Sequence, residues 1–166
     1  MRAGGTVSLV LADRRILVDT GGPAERDVVV ALLGGRGLAP DQIDTVVCSH
    51  GHIDHVGNNN LFPHATFILG QDRSVGDAFS ALEFKEIASG ARIVPTPGHT
   101  SEDLSVLVET AAGVVAIAGD VFESAYDDES WVQYSRDPER QRRSRAELLE
   151  VADFIVPGHG EMFRCR

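Results

Sequence analysis

Within the stretch Ser49-His50-Gly51-His52-Ile53-Asp54-His55-Val56-Gly57 stand three imidazoles and one carboxylate. Such side chains hold divalent cations through nitrogen and oxygen, and crowding them brings no evident packing gain unless a cation is held. The group follows the apolar run Thr45-Val46-Val47-Cys48, so it falls on the loop leaving a buried strand. Three further residues occupy comparable places: His99 after Pro97-Gly98, Asp120 after Ala118-Gly119, and His159 between Gly158 and Gly160. Each alone has the character of an ordinary loop, turn or cap residue. Taken with the first group they complete seven N and O donors without cysteine, the set that two adjacent divalent ions require. Asp19, in Asp19-Thr20-Gly21-Gly22-Pro23, reads by itself as a turn residue. His64 precedes a strand without a comparable loop and is assigned a structural or surface place.

The elements that must position these residues can be read along the chain. Thr6 to Leu11 and Arg15 to Val18 have the pattern of two strands joined by Ala12-Asp13-Arg14. Ala24 to Leu33 carries helical apolar spacing and stops at Gly34-Gly35. Asp44 to Cys48 and Ala65 to Leu69 read as strands on either side of the histidine loop, with a short helix start at Asn58-Asn59-Asn60. From Gly70 to Gly90 the sequence is mixed and polar, with Ala78 to Ile87 weakly helical. Ala91 to Val94 is the next strand. Leu104 to Glu109 and Val114 to Ala118 follow as a hairpin turning at Thr110 to Gly113. The stretch Glu123 to Glu129 reads as an acidic linker. Asp137 caps and Pro138 starts a helix running through Leu149, and Phe154-Ile155-Val156 is the last strand. Apolar runs thus end repeatedly in polar residues: Asp19, His50, His99, Asp120 and His159. Loops at one edge of packed sheets would gather them, and the mixture favours two sheets with helices outside.

Composition narrows the classes. The 166 residues suffice for one domain with a real core, and 43% hydrophobic with 24% charged residues is ordinary globular composition. A formal charge of -10 argues against broad binding to nucleic-acid backbones, without excluding a local positive site. Two cysteines, Cys48 and Cys165, are too few for a disulfide framework. No signal peptide or membrane span is expected, so the reading is an intracellular protein of the cytoplasm, with the nucleus as an alternative.

The motifs Ser-His-x-His-x-Asp-His-x-Gly, Pro-Gly-His-Thr, Ala-Gly-Asp and Pro-Gly-His-Gly resemble those of the metallo-β-lactamase fold hydrolases, as does Asp19-Thr20-Gly21-Gly22. The resemblance covers nearly the whole chain. It implies an α+β fold, a four-layer αββα sandwich formed as a single domain over residues 1–166, with metals at one sheet edge. Fewer residues precede Thr6 than family members usually carry. The N-terminal strands are therefore expected to be shortened, which would expose a sheet edge and favour a homodimer. Carried over residue by residue, the resemblance gives His50, His52 and His99 to one metal and Asp54, His55 and His159 to the other, with Asp120 bridging. Asp19 would stand behind a ligand histidine and fix its tautomer.

The cofactor implied is a pair of divalent ions, zinc first, with manganese or iron also accepted by His/Asp ligation. Such ions lower the pKa of a bound water from ~15.7 towards ~7 and polarise the substrate, and Asp54 would orient the nucleophile or shuttle a proton. Two divalent ions against two carboxylates and one hydroxide leave a local charge of about +1, which attracts an anionic substrate.

Members of this fold hydrolyse β-lactams, thioesters, lactones and phosphodiesters, so fold alone does not choose among them. Glyoxalase II-like thioesterases carry a C-terminal helical domain, whereas this sequence ends at residue 166. Typical β-lactamases of the fold lack Asp at the position of Asp120, and flavodiiron proteins place Glu where His52 stands. Large nucleic-acid-processing relatives insert a domain between the residues corresponding to Asp120 and His159, here only 39 positions apart. Gly119 to Glu123, the Glu129-Ser130-Trp131 region and Ser144-Arg145 through Gly160 resemble one branch of the family, and that likeness implies RNA processing. The leading expectation is a phosphodiester hydrolase acting on RNA. Arg136, Arg140, Arg142, Arg143 and Arg145 add a motive, although their ordinary reading is a solvated helix face partly paired with Asp137, Glu139 and Glu147. Alternatives are hydrolysis of a small anionic β-lactam, lactone or thioester, a one-iron persulfide dioxygenase, and a metal-dependent binding module without catalysis.

Overall fold

Short β-branched runs bounded by glycine, asparagine and proline become strands in the computed structural model, which describes residues 4–83, 85–125 and 127–165. The chain forms two compact units, residues 1–83 and 84–166. Residues 1–3, 84, 126 and 166, on which parts of the expected N-terminal segment, weak helix and acidic linker fall, lie outside the described set.

In the first unit β1 (Ser8–Leu11) and β2 (Arg15–Val18) form an antiparallel hairpin. A 3₁₀ turn, Pro23–Glu25, leads into helix α1 (Arg26–Gly34). Strand β3 (Thr45–Cys48) is followed by the single helical turn α2 (Ile53–Val56), the 3₁₀ turn Asn59–Leu61, and strands β4 (Thr66–Leu69), β5 (Asp72–Val75) and β6 (Ala78–Ala81). The six strands make one sheet in sequence order, with β2, β3 and β4 mutually parallel and the other pairs antiparallel. Val29 and Leu33, one turn apart on α1, pack with Leu17, Val46, Ile43 and Phe62. The parallel run has a direct consequence. It brings the carboxyl ends of β2 and β3 to the same sheet edge, which places Asp19 beside the histidine loop.

The second unit holds β7 (Glu86–Ala88), β8 (Ala91–Pro95), β9 (Leu104–Thr110), β10 (Gly113–Gly119), β11 (Phe154–Pro157) and β12 (Phe163–Arg164), in the order β12-β11-β10-β9-β8-β7. Among the described residues of this unit, β10 and β11 pair in parallel and the other neighbours antiparallel. Two successive antiparallel steps return β10 to the direction of β8, so β8, β10 and β11 all end at one edge. His99, Asp120 and His159 follow those three ends. After a 3₁₀ turn, Ser130–Tyr134, helix α3 (Pro138–Val151) packs Leu148 with Leu107, Ala116, Phe122 and Ile155. As expected, Asp137 caps α3, its carboxylate accepting from the Arg140 N–H at 3.0 Å.

One stretch departs from the sequence reading. The described residues of Ala78 to Ile87 form no helix: β6 pairs with β5 across the two-residue turn Gly76-Asp77, with Val75 opposite Ala78 and Gly76 at φ +55. Glycine at the first central position suits such a hairpin, and cross-strand pairing outweighs a weak helical preference. Strand β12 also lies outside the expected elements; pairing with β11 is the cause of its extended form. Among the described residues no helix is long and apolar enough to cross a membrane.

Candidate metal centre

In the first unit Asp19 holds the histidine loop together. Its backbone adopts φ +61, a conformation Asp tolerates better than most residues, and its N–H donates to the Val47 carbonyl at 2.8 Å. The buried carboxylate accepts from the Ser49 N–H (2.6 Å) and Ser49 Oγ (2.7 Å), and its Oδ2 lies 2.8 Å from His55 Nδ1. That contact assigns the proton to Nδ1 and turns Nε2 outward. Ser49 Oγ is also 3.0 Å from His50 Nδ1, while His50 Nε2 meets His52 Nδ1 at 2.9 Å. The rings of His50 and His55 lie 4.3 Å apart. Asp54 is partly exposed, its Oδ2 3.8 Å from His55 Nε2. Asn58 Nδ2 donates to the Thr20 and Gly22 carbonyls, and the Gly57 N–H donates to Gly21. A side chain on Gly57 would meet Pro23 and Gly22, so the two loops interlock only because glycine is there.

The second unit gathers His99, Asp120 and His159. Asp120 sits between the imidazoles: Oδ2 is 3.4 Å from His99 Nε2 and Oδ1 is 3.5 Å from His159 Nε2. A Cβ on Gly158 would collide with Asp120 Oδ1, so the glycine before His159 makes room for the Asp120 carboxylate. The His99 turn is pinned from two sides. Asp103 accepts from the Gly98 N–H, the Thr100 N–H and Thr100 Oγ1 at 3.0, 2.7 and 2.6 Å. Ser135 Oγ and the Asp137 N–H donate to the Gly98 carbonyl, and the Arg136 N–H donates to that of His99. From α3, Gln141 Nε2 donates to the carbonyls of Asp120 and Val121.

These donors fit divalent metal ions. Atoms bound to one tetrahedral ion at ~2.0–2.1 Å stand ~3.3 Å apart, close to the Asp120–imidazole distances, and every donor is nitrogen or oxygen. Asp120, Glu123 and His159 each offer a ligand atom within 4.8 Å of the others. Cys48 takes no part. It is buried beside Asn59, and burial pushes its thiol up to about 12. His64 is exposed, as expected. Three contributors escape the sequence reading: Glu123, at the start of the stretch read as a linker, Asp103, and Asp127, whose carboxylate takes a two-pronged pair from Arg145 at 2.8 and 2.9 Å. Their only sequence signal is closeness to Asp120 and His99.

Comparison with known proteins decides the family. Residues 2–70 match the sequence profile of the Metallo-beta-lactamase superfamily. The chain is also 44% identical over 171 residues to metallo-beta-lactamase domain-containing protein 1 of Xenopus laevis, covering 98% of this chain and 73% of that protein. The chain belongs to the metallo-β-lactamase superfamily. The likeness of its C-terminal third to one branch is thereby borne out. The chain spans 59% of the length of the human protein of the same description, to which it is 44% identical. Among solved structures of the superfamily's fold, a candidate metallo-beta-lactamase from Thermotoga maritima superposes with a TM-score of 0.74 at 26% identity, covering 96% of this chain and 88% of that one. An N-acyl homoserine lactonase of Bacillus thuringiensis is 28% identical over 145 residues, 76% of this chain and 58% of its own length. The expected α+β metallo-β-lactamase fold is the fold observed.

Proposed function

We propose that this metallo-hydrolase superfamily member cleaves phosphodiesters in RNA, with two divalent metal ions, zinc first, as its cofactor. On this reading His50, His52 and His99 would hold one ion and Asp54, His55 and His159 the other, with Asp120 available to both. The posture of Asp120 carries the proposal: one carboxylate oxygen faces each of two imidazoles, as a residue shared by two ions would. When bound, the ions supply Lewis acidity and a lowered water pKa. The chain does the rest. Asp19 keeps the His55 proton on Nδ1, and Asp54, with 23% of its side chain exposed, orients the attacking water and accepts its proton. Arg136, Arg140 and Arg143 are exposed and make no side-chain ion pair among the described residues, which suits a polyanionic substrate. Arg142 and Arg145 are engaged with Glu129, Glu139 and Asp127.

A second reading, hydrolysis of a lactone or related small acyl compound, is favoured by the likeness to the bacterial lactonase. The test is a parallel assay of zinc-loaded protein on single-stranded RNA and on an N-acyl lactone, with Asp54→Ala as control. RNA cleavage should fall at least ~100-fold in the variant, the scale of lost acid–base catalysis. RNA turnover no higher than that of the control would overturn the nuclease reading, and lactone turnover that vanishes with Asp54 would put the second in its place.

A further inference from the structure

Glu123 is held at both ends of its backbone, on one side by Asp127 and on the other by the candidate ligand His159. Its N–H donates to Asp127 Oδ2 at 2.9 Å, and its carbonyl accepts from the His159 N–H at 2.9 Å. Asp127 is itself fixed by Arg145, whose guanidinium lies over the rings of Phe122 (4.1 Å) and Trp131 (4.8 Å) and donates to the Val121 carbonyl. So braced, the Glu123 side chain delivers Oε1 to within 3.6 Å of His99 Nδ1. The other nitrogen of the same ring, Nε2, faces Asp120.

His55 shows the same pairing in a closer form, with Asp19 Oδ2 at 2.8 Å from Nδ1 and Nε2 left outward. A carboxylate on one ring nitrogen keeps the proton there, makes the opposite nitrogen a better donor to a cation, and stops the ring from turning. Resting on the metal-centre reading above, we propose that Glu123 is a positioning residue that fixes His99 as the Nδ1–H tautomer and aims Nε2 at the metal. The 3.6 Å separation lies just beyond hydrogen-bond reach, so fixing the tautomer this way requires Oε1 and Nδ1 to draw closer when the imidazole acts as a ligand. The competing role is direct ligation, since Glu123 also groups with Asp120 and His159.

Reach and charge separate the two in zinc titrations against a chromophoric chelator, using the whole chain and the variants Glu123→Ala, Glu123→Asp and Glu123→Gln. Glu123→Asp keeps the charge and loses the reach, whereas Glu123→Gln keeps an acceptor in place and loses the charge. Positioning predicts zinc binding ~10–100-fold weaker in Ala and Asp, the scale for such partners, and within ~3-fold of the parent in Gln. Melting of the metal-free variants shows whether the fold is intact; if Ala fails to fold, the Asp and Gln pair decides. Parental affinity in all three variants overturns the proposal. So does Asp behaving like the parent while Gln loses affinity, or the loss of one whole zinc equivalent in Gln, which would make Glu123 a ligand. A parent chain that binds no zinc would instead overturn the metal-centre reading itself.

Discussion

Asp103 shows how a single side chain can serve the site at a cost in stability. Three donors from Gly98 and Thr100 favour its charged form, yet burial outweighs them and pushes the carboxyl up to about 6, with Asp120 adding to the rise. The folded value therefore lies above the ordinary 3.8. Between about pH 4 and 6 the native chain holds a proton that the unfolded chain has released, so stability falls as pH rises through that window. Below the window both states are protonated; above it both are ionised and the full penalty remains. In metal-free protein, urea unfolding at several pH values should show a shallower decline between pH 4 and 6 for Asp103→Asn than for the parent. Equal slopes would mean that Asp103 is ionised throughout. Nothing in Thr100-Ser101-Glu102-Asp103 announces this, because burial and donor count are properties of the assembled turn.

At the scale of elements, α3 braces the donor cluster of the second unit. Its start is legible from Asp137-Pro138, and the helix runs two residues past Leu149. Its arginines are legible only in part: Arg142 pairs with Glu139, as read, but also with Glu129, and Arg145 pairs with Asp127 of the stretch read as a linker. The helix comes close at Gly98, where φ is +150 and an added Cβ would strike the backbone of Gln141. Gly98→Ala should therefore lower stability by about 1–3 kcal/mol, as overpacking does, in a denaturant titration. Gly34→Ala, with nothing within 4 Å of its Cβ, should be neutral or slightly stabilising. Equal effects at the two glycines would refute the tight packing between α3 and the His99 turn.

For the molecule as a whole, each unit carries its own group of donors: His50, His52, Asp54 and His55 in one, His99, Asp120 and His159 in the other. If the seven close on shared ions, zinc stabilises both units together, by about 2.7 kcal/mol at a hundredfold excess over its dissociation constant. Hydrogen exchange should then slow on zinc addition in both the 49–57 and the 157–160 segments. Protection confined to one of them would assign the metal to that unit alone.

The donors themselves are legible in the sequence, because metal chemistry resides in residue type and because glycine and proline punctuate strand ends locally. So are most strands and both long helices, whose apolar periodicities are short-range. The rest depends on partners far along the chain. The β5–β6 hairpin arises from register with β4, the link from Asp19 to His55 from parallel pairing of β2 and β3, and the setting of Glu123 from an arginine on α3. Local sequence specifies which groups a loop offers; only the packed chain sets which atoms of those groups face one another, since direction, burial and distance are created by tertiary contacts.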